Sequence, residues 1–200
     1  MNPILVSALI PTRARPERLK RTMQSLIDNA LNPERIEFCL RVDDDDKATI
    51  EYLYHFTNPR IKRTIKPRVG YNYMGAMVQD CVDLATGTWV FLIDDDCMIE
   101  GKGWDEKLAM IKPDGNYAQC EFYHLGGSRY GSGSCGPVGM ILPNGSWVGH
   151  EVSEPLGLTG IADNFFRDVA VKAGWKLNLL KNVFYCHMRD SDDVLKEHRK

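Results

Sequence analysis

The chain has 200 residues, 44% of them apolar, enough to bury a sheet-and-helix core as one domain without disulfide staples. Its 25 basic and 27 acidic side chains leave a formal charge of −2, which excludes a global field for nucleic acid or an anionic membrane, so any anion must be held locally. Six cysteines, at 39, 81, 97, 120, 135 and 186, form no C-x-x-C pair, and several lie in apolar runs as small buried hydrophobes, which implies a reducing, cytoplasmic compartment.

The opening "MNPILVSALIPTRAR" has no basic leader region, no small-residue cleavage site and too short an apolar run to form a transmembrane segment. Within it, "ILVSALI" (4–10) is a near-continuous apolar run, the signature of a strand buried on both faces. Pro16 then opens a helix in which Leu19, Met23, Leu26, Ile27 and Ala30 recur at helical spacing. The pattern repeats. "IEFCLRV" (36–42) predicts a second strand ended by Asp43 to Asp46, and "KATIEYLYHF" a short helix. "IKRTIK" (61–66) predicts a third strand, followed by a helix with Met74, Met77, Val78, Cys81, Val82 and Ala85 on one stripe and Thr86-Gly87 at its end. "TWVFLI" (88–93) predicts a fourth strand running into Asp94, Asp95 and Asp96. Strands alternating with helices imply a doubly wound α/β sheet, mixed but mostly parallel and flanked by helices, with ligands beyond the carboxyl ends of the strands, where both acidic clusters lie.

Beyond Trp104 the order changes. "WDEKLAMI" predicts a helix and "NYAQCEFYHL" a strand, whereas Gly126 to Gly136 is a Gly- and Ser-rich loop, either a mobile cover or a plain connection. "VGMILP" and "SWVGHEV" suggest a hairpin about Asn144-Gly145, "IADNFFRDVAVKAG" a helix stopping at Gly174, and "WKLNLL" and "VFYCHM" two strand-like runs. The expectation is a single domain over 1–200, whose second half (101–200) builds on the first (1–100).

Three adjacent carboxylates at a strand end repel one another unless a cation neutralises them. If the segment stays extended, Asp94 and Asp96 project to one side and Asp95 to the other, so two oxygens converge on one point. Hard cations such as Mg2+ or Mn2+ take such ligands and complete their shell with water and substrate phosphates. The bland alternative is a solvated strand end. A phosphatase-type D-x-D is disfavoured because Cys97 stands where Thr or Val is needed, and a calcium loop at Asp43 to Asp46 fails because Ala48 and Tyr54 occupy the required Gly and Glu offsets. "GSGSCG" (131–136) matches a dinucleotide pattern but is followed by Pro137 rather than a helix.

Four segments in order resemble the family-2 glycosyltransferases: "VSALIPTRARPERLKRTMQSL", "LRVDDDD", "LATGTWVFLIDDDCMI" and "ADNFFRDVAVKAGWKL". The resemblance implies an A-type glycosyltransferase fold, a nucleotide-diphosphate sugar donor (UDP- or GDP-linked) and Mn2+ or Mg2+ as cofactor. It matches Pro11, Thr12 and Arg13, with Asp43 or Asp44, to positions contacting base and ribose, and Arg68 to a basic position near the nucleotide. It matches Asp94 to a ribose or metal position with Asp95 beside it on the donor, Asp96 to the metal ligand, and His187 to a further metal or phosphate ligand. Asp163 aligns with the catalytic base. The chain departs from the pattern at Ala162, where a Glu is usual, in "VDDDD", and in "GYNYMGAM".

The chemistry of transfer agrees. Leaving-diphosphate charge must be neutralised and an acceptor hydroxyl deprotonated, the first by a cation and the second by a carboxylate. Asp163 opens its helix and is equally suited to cap it. His187, and more weakly His150, read as core residues or ligands, while Trp104, Trp147, Phe122 and Tyr123 read as core or as sugar-stacking rings. The expected activity is metal-dependent sugar transfer to an unknown glycan, lipid-linked or small-molecule acceptor, with inversion implied by the resemblance. The alternatives are a degenerate nucleotide- or glycan-binding member and, less favoured because "PTRARP" is no Gly-rich phosphate loop, a nucleotidyltransferase.

Overall fold

A computed structural model describes residues 3–56, 58–70, 73–124, 129–130, 139–146 and 170–188, with the backbone alone at 122–124, 129–130 and 187. The first half follows the sequence pattern closely: β1 (Val6–Thr12), α1 (Pro16–Asp28), β2 (Ile36–Asp43), α2 (Lys47–His55), β3 (Ile61–Lys66), α3 (Met74–Val82) and β4 (Trp89–Leu92). Then come β5 (Cys97–Glu100), α4 (Trp104–Ala109), β6 (Asn116–His124), β7 (Arg129–Tyr130), β8 (Met140–Pro143) and β9 (Lys176–His187).

The nine strands form one sheet in the order β3-β2-β1-β4-β8-β6-β9-β5, with β7 beside β6. β3, β2, β1 and β4 run parallel to one another, as do β6 and β9. β8 enters antiparallel between β4 and β6, and β5 closes the far edge antiparallel to β9. The sheet is therefore the expected mixed, mostly parallel α/β layer flanked by helices, and strands from both halves of the chain share it.

Both faces are buried. Ala8, Ile10, Phe38, Leu40 and Phe91 pack under α1 and α4, where Leu19, Met23, Leu26, Trp104 and Leu108 complete one core. Each such aliphatic side chain contributes about 2 kcal/mol by leaving water. Leu9, Cys39, Val90 and Leu142 face Val78 and Cys81 of α3 on the other side. This two-sided burial is why these strands read as continuous apolar runs. Trp104 is fully buried, its indole N–H donating to the Leu26 carbonyl at 3.0 Å and its ring centroid 6.0 Å from Phe91, so it belongs to the core and offers no face to a sugar.

Two features depart from the sequence expectation. β5 follows the aspartates at once, because Cys97 to Glu100 alternate inward and outward and pair with β9, a partner some ninety residues away that no local pattern reveals. The two runs "WKLNLL" and "VFYCHM" are one strand with an irregularity: Cys120 pairs with Leu180 but Glu121 with Phe184. Asn182 takes a left-handed φ of 61°, its N–H donating to Glu121 Oε2 at 2.8 Å. Residues an odd number apart face opposite sides of an unbroken strand. The irregularity lets Leu180 and Tyr185 both enter the α1 core.

The Asn144-Gly145 turn follows β8, and within the expected Gly126–Gly136 loop Arg129–Tyr130 pair with β6 as β7, but the rest of that loop, the second arm of the expected hairpin, most of the 161–174 helix, Trp147, His150 and Asp163 lie outside the described residues, as do the side chains of Phe122, Tyr123 and His187. The 161–174 helix is described only from Ala170, ending at Gly174 with φ +66°. Cys39, Cys81, Cys97, Cys120 and Cys186 are free and buried. No helix among the described residues is long and apolar enough to cross a membrane.

Candidate functional site at the carboxyl edge of the sheet

β1, β2 and β4 end side by side, and the loop after β1 links the acidic ends of the other two. Ala14 in that loop has φ 56°, a left-handed conformation costing a residue with a Cβ roughly 1–2 kcal/mol. Its N–H is held by Asp46 Oδ2 at 2.6 Å, while Asp46 Oδ1 caps α2 through the Thr49 N–H at 3.1 Å. The turn sends two neighbouring arginines opposite ways. Arg13 reaches the end of β2, where its guanidinium binds Asp43 Oδ2 at 2.9 Å and grips both oxygens of Asp45. Arg15 reaches the end of β4, 3.0 Å from Asp95 Oδ1 and 3.0 Å from Asp96 Oδ2.

At the β2 end, Asp43 is buried and also paired with Arg41, a fully buried arginine whose Nε lies 3.4 Å from Asp80 and whose NH2 donates to the Pro67 carbonyl at 2.7 Å. Asp44 is exposed, its backbone N–H donating to Lys66 O at 2.9 Å. Hydrogen bonding from Arg13 holds the Asp45 carboxyl below its ordinary range. Arg68 is exposed and 3.9 Å from Asp45. Pro11 is half-buried on β1 opposite Arg41.

At the β4 end the aspartates do not continue the strand. They form a turn, with the Cys97 N–H donating to Asp94 O at 3.2 Å, because β5 must start at once in another direction. The turn separates the side chains much as alternation would. Asp95 points inward to Thr12 Oγ1 (2.7 Å) and Arg15, and burial, opposed by Arg15 and reinforced by Asp96, pushes its carboxyl up to about 6. Asp94 is exposed and Asp96 buried, and one ligand atom from each, with Cys97 Sγ, lies within 4.8 Å of the others. Arg18 of α1 stands 3.7 Å from Asp96 Oδ2.

So part of the neutralising cation is the chain's own. Arg15 and Arg18, which sequence reasoning left without a role, offset Asp95 and Asp96; the only signal for them was their place in "RARPER", one turn of chain from Thr12. Asp94 Oδ2 accepts the hydroxyl of Tyr185 at 3.1 Å.

The donor set fits a hard divalent cation, since two carboxylates converge beside solvent and such ions need few protein ligands. Burial, with Asp94 and Asp96 alongside, pushes the Cys97 thiol far up in the metal-free chain, where its S–H lies beside the oxygens of both aspartates. The backbone of His187 pairs with Cys97 across β5 and β9, and the Met188 N–H donates to Asp96 O at 2.8 Å, which brings the end of β9 to the same rim.

The profile of Glycosyl transferase family 2 matches residues 7–134, more than half of the chain, and the protein belongs to that family. Solved structures share its fold. S. aureus TarS 1–349 in complex with UDP-GlcNAc aligns with a TM-score of 0.74 at 14% identity, over 94% of this chain and 60% of that one. The mannosyltransferase PcManGT from Pyrobaculum calidifontis, in complex with GDP-Man and Mn2+, aligns at 0.70 and 11% identity, over 100% and 61%. S. aureus TarS aligns at 0.68 and 13% identity, over 96% and 38%. The chain thus spans between 38% and 61% of the length of these structures. Comparison with curated protein sequences gives no match.

Proposed function

We propose that this chain is the donor-binding, catalytic domain of a cytoplasmic glycosyltransferase that moves a sugar from a UDP- or GDP-linked donor to an acceptor hydroxyl, with inversion. The observation that carries the proposal is the meeting of Thr12, Arg13, Asp43 and Asp94 to Asp96 at one edge of the sheet in a family-2 domain. Ligands of open α/β sheets bind at such an edge. Buried free thiols favour a reducing compartment.

In this proposal Arg13, fixed by Asp43 and Asp45, and exposed Asp44 meet base and ribose, with Pro11 beneath them and Arg68 at the margin. Asp94 and Asp96 hold Mn2+ or Mg2+, with His187 as a further ligand. When bound, the cation supplies charge neutralisation for the departing diphosphate. Thr12 and Arg15 hold Asp95, which keeps the triplet's turn in shape and lies with Thr12 beside the donor. Arg18 and Arg15 add positive charge beside the diphosphate position. Asp163 takes the acceptor proton as the hydroxyl attacks. The acceptor is a glycan, a lipid-linked sugar or a small molecule.

The test is donor turnover with Mn2+ present, for UDP- and GDP-sugars with a panel of acceptors, repeated with Asp163→Ala. Transfer by the wild type and its loss in the variant are expected. A wild type that binds UDP or GDP yet turns over no donor would instead be a binding member of the family. That second reading draws on Asp96, whose Oδ2 already faces two arginines.

A further inference from the structure

We infer that Tyr185 is a positioning residue for the cation site, fixing the Asp94 carboxylate through its phenol; this rests on the cation role of Asp94 and Asp96 proposed above. Asp94 is the exposed member of the pair, on a turn, where a carboxylate keeps several rotamers and would lose that freedom on gripping an ion. The Tyr185 oxygen touches it twice. It accepts the Asp94 backbone N–H at 3.1 Å and donates to Asp94 Oδ2 at 3.1 Å. The Cys97 thiol adds a weaker contact to the same Oδ2 at 3.9 Å.

The phenol can act this way because its ring cannot move. Tyr185 is 2% exposed, lies opposite Ile99 of β5, and has its ring centroid 6.4 Å from Phe91 of β4. Gly139, at φ +70°, passes so close that an added Cβ would sit 3.1 Å from Tyr185 Cβ. One side chain therefore ties the end of β4, the turn and β9 together, and hands core rigidity to a solvent-facing oxygen. Partners of this kind around metal ligands set affinity by ten-fold or more. The plainer account is that a buried hydroxyl has merely found an acceptor. The two differ in what its removal does to cation binding.

The experiment is a titration of the full chain with Mn2+ in the presence of UDP, and separately GDP, following the paramagnetic resonance signal of free Mn2+. Wild type, Tyr185→Phe, Asp94→Asn and the double variant are compared, with thermal melting of each. Tyr185→Phe is expected to raise the Mn2+ Kd roughly ten-fold, with melting within a few degrees of wild type. In the Asp94→Asn background the same replacement should change Kd less than about two-fold, because the group it acts through is gone. In turnover, the apparent KM for Mn2+ should rise while kcat at saturating Mn2+ recovers. Equal Kd for wild type and Tyr185→Phe, or an undiminished effect in the Asp94→Asn background, overturns the positioning role and leaves the cation site standing. A wild type that binds no Mn2+ with either nucleotide removes the cation site itself.

Discussion

The two ends of the central parallel strands both bury carboxylates, and they treat them oppositely. At the amino end, Glu37 accepts from Ser7 Oγ (2.6 Å), from the Thr86 N–H (2.6 Å) and from Thr86 Oγ1, with Lys62 Nζ at 2.8 Å from its other oxygen. Burial alone would raise it, but Lys62, Ser7 and Thr86 together outweigh burial and hold it below the ordinary carboxylate value. At the carboxyl end Asp95 has Thr12 and Arg15, yet burial with Asp96 beside it leaves it raised. A buried acid surrounded by donors is a structural joint. A buried acid that stays raised with its arginine in place, in a row of three, is an arrangement kept for something else.

The widest separation of these roles comes from comparing Asp96→Asn with a Glu37 variant. Asp96→Asn should lower transfer roughly a thousand-fold while the folded population in a denaturant titration hardly changes. Glu37→Leu should do the reverse, lowering unfolding free energy by about 3 kcal/mol while nucleotide affinity per folded molecule, by calorimetry, stays as in wild type. If Glu37→Leu lost nucleotide binding without losing stability, the contrast between the ends would be broken.

pH sharpens it. Asp95 in the metal-free chain has a raised folded value, so its contribution is fully present below its ordinary value of 3.8 and is lost as pH rises to about 6. Relative to Asp95→Asn, the wild type should therefore lose on the order of 2 kcal/mol across that window, measured by urea unfolding at stepped pH. Glu37, with a depressed folded value, stabilises above its ordinary 4.5 and loses that contribution as pH falls through the lower folded value, so its variant should differ least from wild type in strong acid. The smallest expected effect is on stability in Arg68→Gln: below about 0.5 kcal/mol, since its ion pair with Asp45 is long and exposed. A several-fold weaker UDP affinity in the same variant would support its role at the nucleotide margin.

Much of this architecture could be read from residues 4–93 because each parallel strand is apolar on both faces and each helix carries a clean stripe, so local pattern and burial coincide. Legibility fell where pairing became long-range. β5 is four residues whose partner is distant, and β9 reads as two pieces because "KN" interrupts its alternation. In the site, the carboxylates announced themselves by repulsion, but nothing local says that Arg15 rather than Arg13 turns toward Asp95 and Asp96. That depends on Ala14 adopting φ 56° under the pull of Asp46. Tyr185 was hidden for a similar reason. Its neighbour His187 drew attention through resemblance, whereas an aromatic in an apolar run looks like any core ring until Asp94 is folded against it.

The irregularity at Asn182 makes chain length, more than residue type, the variable under control between Leu180 and Phe184. Removing one residue there would rotate the phenol to the α3 face and strip Asp94 of its tether, although every strand could still form. Removing two would restore parity but draw the rim end of β9 about 7 Å back along the sheet. Homologous chains that keep a tyrosine here are thus expected to tolerate many side chains at 181, to keep Asn or Gly at the left-handed position 182, and to tolerate almost no change in count.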